Sequence, residues 1–209
     1  MIAPMSPSTL QVERSTGLLA GTMQVFSPHF DARPDGIEAD LIVIHGISLP
    51  PGEFGGPWID RLFTGSLPPH VHPYFGDVAG RRVSAHVLIR RNGRCVQYVP
   101  FHARAWHAGE SSYGERRACN DFSIGIELEG EDSTPYDDRQ YETLNALIDA
   151  LLRAYPRLSR SRLAGHSEIA PGRKTDPGEA FDWNRVSGAG ARAATRPPVR
   201  SPDEPGRAP

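Results

Sequence analysis

Eight histidines punctuate the chain, at positions 29, 45, 70, 72, 86, 102, 107 and 166. Imidazole is well suited to bind a metal or carry a proton near neutral pH, yet most histidines are surface or hydrogen-bonded structural groups. Two are set apart by position. The run DLIVIHG ends in His45 and Gly46. Strand ends that feed loops are where open sheets hold ligands, although by itself this leaves a structural and a functional reading equally open. His166 lies in GHSEIAPGRKTDPG (Gly165–Gly178), a segment bounded by Gly and Pro, without helical or strand period, that also holds Lys174 and Asp176. His and Asp are good zinc ligands, and a catalytic zinc keeps three protein ligands and one open position. The third ligand would come from 121 residues upstream, so the spacing points to a metal centre less sharply than a contiguous motif does.

Two further features bear on chemistry. Lys174 is the single lysine among 23 basic residues. A compact ammonium two residues before Asp176 suits an oxyanion beside a metal; chance explains one lysine equally well. Glu127 and Glu129 sit two apart in FSIGIELEG, so in a strand both point to one face. The plain reading is a solvated sheet face. The functional one makes one carboxylate a general base aimed at water in a metal centre, because two like charges side by side need a cation, a proton or solvent to coexist.

The elements that must position these groups are legible in outline. Residues from Asp40 read as a buried strand. Pro57 opens a short helix, Trp58 to Phe63, that Gly65 stops. RVSAHVLIR and RCVQYV flank Asn92-Gly93, a strong hairpin signal. FSIGIELEG alternates Phe122, Ile124, Ile126 and Leu128 on its apolar face. Tyr141, Leu144, Ile148, Leu151, Leu152 and Tyr155 form a helical stripe, with Asp137 and Gln140 as capping box and Pro156 as terminator. The fold class is therefore α/β (α+β), one domain over 25–186. Residues 1–24 read as a loosely ordered leader. The tail 187–209 has one large apolar residue, Val199, and reads as disordered.

Composition bounds the function. With 23 basic against 25 acidic residues and net charge −2, nothing favours nucleic acid as partner. The longest strongly apolar run has four residues, Leu41 to Ile44, whereas a membrane span needs about 20. The N-terminus lacks the basic and apolar regions of a signal peptide. Two cysteines, Cys95 and Cys119, fit free thiols in a reducing compartment. A cytoplasmic protein without membrane contact is expected.

The blocks VFSPHFDARPDG, LIVIHGISLPPGEFGGPWIDRLFTG, HPYFGDVAGRRVSAHVLIRRNGRCVQYVPFHARAWHAG, CNDFSIGIELEG and GHSEIAPGRKTDPGEAFDW closely resemble the zinc N-acetylmuramoyl-L-alanine amidases, in particular their cytoplasmic anhydro-muramyl-peptide branch. That family is related to phage amidases and peptidoglycan recognition proteins. The resemblance runs from about Val25 to Val186. It implies a mixed central β-sheet flanked by helices, one Zn2+ per chain, and hydrolysis of the amide between (1,6-anhydro)-N-acetylmuramic acid and L-alanine in small muropeptides, for peptidoglycan recycling by a monomer. Matched residue by residue, it implies His45, His166 and Asp176 as zinc ligands and Glu127 and Lys174 as the catalytic pair. It implies Arg82, Trp106, His107 and Arg116 as substrate-binding residues, for which surface arginine and core tryptophan remain the plain alternative. One departure is Gly46, where family members carry Asn; HSEIAPG and SSYGERRACN also differ in detail. Two competing readings are an exported amidase acting on polymeric peptidoglycan and a peptidoglycan-binding module without catalysis.

Overall fold

The computed structural model describes residues 10–186. Residues 1–9, and the expected disordered tail 187–209, lie outside the described residues. In chain order the strands are β1 (Val12–Glu13), β2 (Leu18–Leu19), β3 (Met23–Gln24), β4 (Phe30–Asp31), β5 (Leu41–Ile47), β6 (Val87–Ile89), β7 (Cys95–Gln97), β8 (Arg104–Ala105), β9 (Ser112–Tyr113), β10 (Arg116–Arg117), β11 (Ser123–Glu129) and β12 (Leu163–Gly165). The helices are α1 (Trp58–Phe63), α2 (Phe75–Val78), α3 (Asp138–Ala154) and α4 (His166–Ile169). Six strands form the central sheet in the order β12-β5-β11-β6-β7-β3. β12, β5, β11 and β6 run parallel, β7 returns antiparallel to β6, and β3 pairs parallel with β7. The expected mixed sheet flanked by helices is present.

The hairpin forms at Asn92-Gly93. Gly93 N–H donates to the Arg90 carbonyl at 2.8 Å and Arg90 N–H to the Arg94 carbonyl at 2.9 Å. Of the turn residues only Gly93 takes a positive φ, +80°, so the turn is type I with a bulged glycine rather than a two-residue primed turn. α3 carries the expected capping box. Asp137 accepts from Arg139 N–H, and Gln140 Oε1 accepts from Asp137 N–H, both at 3.0 Å. Tyr141, Leu144, Leu147, Ile148 and Leu151 bury one helix face on Ile42, Ile44, Ile124, Ile126 and Leu128 of β5 and β11. Each such side chain contributes about 1.5–3 kcal/mol by leaving water, which fixes α3 over that face.

Three expectations need correction. Residues 10–24 are part of the folded unit: Leu19 is fully buried, Leu10 nearly so, and β3 is an edge strand of the sheet. Buried Gln97 holds this segment, accepting from Leu19 N–H at 2.7 Å and donating to the Gly17 carbonyl at 3.0 Å. Two-residue strands are too short to show a period, which is why the segment read as loose. Phe122 precedes β11 and packs with Leu41, Val43 and Ile169 in a separate cluster instead of joining the Ile124–Ile126–Leu128 face. The polar face of β11 is not solvated, because every residue of that strand is buried. No helix among the described residues is long and apolar enough to cross a membrane.

Candidate active site

Strand order brings the distant residues together. In the β11–β5 register Glu127 lies opposite His45. β12 pairs with the other edge of β5, Gly165 opposite Ile44, so His166, the next residue, begins α4 beside His45. Three parallel strands thus deliver Glu127, His45 and His166 to their carboxyl ends, where open parallel sheets form crevices. The segment that read as loop opens with the single turn α4, capped by Glu168, whose carboxylate accepts from Gly165 N–H at 2.9 Å. Four residues cannot display a helical period. Asp176 then returns over α4, its carbonyl accepting from Ser167 N–H at 2.9 Å.

His45 Nδ1, His166 Nδ1 and Asp176 Oδ2 form a triangle with sides of 2.9, 3.1 and 3.2 Å. His166 Nε2 faces the Ala108 carbonyl at 3.1 Å, which can only accept, so Nε2 carries the proton and Nδ1 its lone pair. Burial lowers the His45 pKa to about 4 against the opposing pull of Asp176, so its ring is neutral at pH 7. A carboxylate and imidazole lone pairs so close repel unless a cation sits among them. A tetrahedral centre with bonds of about 2.0–2.1 Å needs ligand separations of roughly 3.3 Å. The donor set fits a zinc ion, and these three residues form a group that could hold a metal.

Glu127 faces the same cavity, of about 690 Å³. Its Oε2 is buried without a hydrogen-bond partner. Burial, reinforced by Asp176 and only partly offset by Lys174, pushes its pKa well above the usual range. Glu129, two residues on, is bound differently. It accepts from Arg90 Nη1 at 3.1 Å, from Gly55 N–H at 2.7 Å and from Arg91 N–H at 3.1 Å. Arg90 also donates to Asp60 at 2.8 Å. The pair therefore splits into an unpartnered carboxyl group in the cavity and a structural carboxylate that ties the 50s loop to β11. Glu129→Ala is expected to cost about 3 kcal/mol, since it leaves Arg90 half-compensated; urea unfolding measures this.

A family model for N-acetylmuramoyl-L-alanine amidase matches residues 35–179. The chain belongs to the N-acetylmuramoyl-L-alanine amidases. It is 60% identical over 169 residues, 81% of this chain and 92% of the relative, to 1,6-anhydro-N-acetylmuramyl-L-alanine amidase AmpD of Escherichia coli (strain K12). The corresponding protein of Haemophilus influenzae is 52% identical over the same length. A crystal structure of a selenomethionine AmpD derivative has a TM-score of 0.82 at 57% identity, covering 85% of this chain and 98% of that one. The amidase AmiD from E. coli, solved with anhydro-N-acetylmuramic acid-L-Ala-D-gamma-Glu-L-Lys, has a TM-score of 0.53 at 26% identity, over 87% of this chain and 65% of that one.

In this amidase the other expected residues separate. Lys174 is exposed and lines the cavity. Trp106 is a half-buried part of the cavity wall, its Nε1–H donating to Asp31 at 3.1 Å, and Arg82 lies over its ring at 4.9 Å from the centroid. His107 also lines the cavity, but its Nδ1 faces His45 Nε2 at 2.9 Å. Arg116 is not brought to the site. It pairs with Asp40 at 2.6 Å and covers Phe122, at the amino ends of β5 and β11. Four strand residues, about 13 Å, separate those ends from His45. Arg81, which sequence reasoning passed over, lines the cavity, whereas Arg82 does not. Gly46, the departure beside His45, fits its surroundings: a Cβ there would lie 2.3 Å from the Tyr136 hydroxyl. That hydroxyl donates to the Pro177 carbonyl at 2.9 Å and so holds the segment next to Asp176.

Proposed function

We propose that this amidase is zinc-dependent and cleaves the amide between (1,6-anhydro)-N-acetylmuramic acid and L-alanine in small muropeptides, in cytoplasmic peptidoglycan recycling. The supporting observation is the triangle of His45, His166 and Asp176 with an unpartnered, buried carboxylate of Glu127 in the same cavity. A bound zinc lowers the pKa of water to about 7 and polarises a carbonyl. Glu127, desolvated and so a stronger base than an exposed carboxylate, takes the proton from the attacking water. It then returns that proton to the departing L-alanine nitrogen, a role typically worth 10²–10⁴ in rate. Lys174 at the cavity wall counters the charge that develops on the scissile oxygen. Trp106 offers the sugar an apolar wall, and Arg82, exposed over the Trp106 ring, holds a peptide carboxylate that extends past the cavity edge. Zinc analysis of the purified chain, paired with mass spectrometry of a digested anhydro-muropeptide, tests the proposal. One zinc per chain with release of free peptide is expected. Zinc-free protein that binds muropeptide without cleaving it would make the chain a binding module.

Lys174→Arg is expected to retain zinc yet lose roughly 10²-fold in kcat, the usual cost of a lost oxyanion donor. A guanidinium spreads its donors over a planar fork where a compact ammonium meets one oxygen. Steady-state kinetics with zinc stoichiometry decide this, and near-native turnover would reduce Lys174 to a rim charge.

A further inference from the structure

The polar face of β11 has an internal order that the catalytic reading leaves unexplained. Ser123, Gly125 and Glu127 succeed one another along it, and the His107 ring lies on Gly125: a Cβ there would be 2.4 Å from His107 Cγ. Glycine is what lets the ring lie between Ser123 and Glu127. From that berth His107 Nδ1 reaches His45 Nε2 at 2.9 Å, and its Nε2 reaches Ser123 Oγ at 3.2 Å. Ser123 Oγ–H donates to the Cys119 carbonyl at 2.5 Å.

The direction of this chain follows from its last member. The Cys119 carbonyl can only accept, so the serine proton is committed to it and Ser123 Oγ must accept from His107 Nε2–H. Neutral His107 then has a bare Nδ1, which must accept from His45 Nε2–H. His45 is left with its Nδ1 lone pair facing His166 and Asp176. The backbone of His107 is fixed too, because Asn120 Oδ1 accepts from His107 N–H at 3.1 Å and Ala108 N–H at 2.8 Å.

We propose that His107 and Ser123 are positioning residues, a one-way hydrogen-bond chain that holds His45 in the Nε2–H tautomer and so presents Nδ1 to the metal. Outer partners of this kind fix ligand tautomer and ring orientation. Without the serine oxygen, His107 can take the opposite tautomer, donate from Nδ1 to His45 Nε2, and force a proton onto the very nitrogen that must bind. His107 thereby acts on substrate chemistry through His45.

The inference rests on the zinc reading, and its test separates the two. Zinc affinity is measured on the full chain by chelator competition for wild type, Ser123→Ala, His107→Phe and the hydroxyl-preserving Ser123→Thr. Histidine 15N spectra of the metal-free wild type report the His45 tautomer. The expected results are an Nε2–H signal for His45, a 10–100-fold weaker zinc affinity for Ser123→Ala and His107→Phe, and recovery toward wild type in Ser123→Thr. A wild type that takes up no zinc would overturn the zinc reading. Zinc affinity within twofold of wild type in both Ser123→Ala and His107→Phe, or an Nδ1–H signal for His45 in the wild type, would overturn the positioning chain alone. Because the tautomer is read on the wild type, variants that fail to fold do not blunt the test.

Discussion

Asp176→Ala is expected to lose zinc and hydrolysis together. Asp176 is the one anionic donor of the triangle, and its removal leaves two neutral imidazoles where a catalytic site needs three ligands. Its carboxylate is also what offsets part of the cost of bringing a dication beside buried His45 and His166. The loss has a readout independent of turnover. A ligand that binds only the folded state stabilises it by about 2.7 kcal/mol at a hundred times its Kd. Added zinc should therefore raise the melting temperature of the wild type and leave Asp176→Ala unmoved. His166→Ala is expected to behave alike. Full occupancy and turnover in either variant would strike that residue from the ligand set.

Glu127→Gln is expected to keep zinc and fold while kcat falls at least ~10²-fold, because the amide cannot take up the water proton. A second effect has the opposite sign. Burial raises the Glu127 pKa in the folded, metal-free chain, so the unfolded state ionises first as pH rises, and that ionisation draws the chain toward unfolding. The cost begins above the unfolded carboxyl value, about 4.3, and grows until the folded group also ionises. In chelator-treated protein Glu127→Gln should therefore melt higher than wild type at pH 7, with the difference vanishing as pH falls toward 4. A variant slower in turnover but no more stable at pH 7 would show that the Glu127 carboxylate is solvated. Glu129→Gln should spare kcat by comparison, since Glu129 is held by Arg90 and the Gly55 and Arg91 amides away from the metal ligands.

Much of this arrangement was legible in the sequence, because it is written in local signals. The apolar run ending in His45, the Asn92-Gly93 turn, the α1 start at Pro57 and the α3 stripe with its Asp137–Gln140 box each depend on residues within one or two turns of each other. The types of His45, His166, Asp176, Glu127 and Lys174 and their loop or strand-end positions were equally visible, and the long resemblance blocks tied them into one set. Periodicity, however, reports only which face of an element is apolar; it is silent about what is stacked on the other. The face of β11 looked solvated because Ser, Gly, Glu and Glu are what a wet strand carries. Tertiary structure alone lays His107 on Gly125, leaves the Glu127 carboxylate unpartnered in the cavity, and clamps Glu129 with Arg90. Likewise, the order β12-β5-β11 is set by hydrogen bonds between segments some 80 to 120 residues apart. That pairing makes neighbours of His45 and His166 and carries Arg116 to the far end of the strands. The residue types able to hold a metal and move a proton were set by sequence; which lone pair faces which, and which carboxylate is dry, were decided by the packing of chain segments that share no local signal.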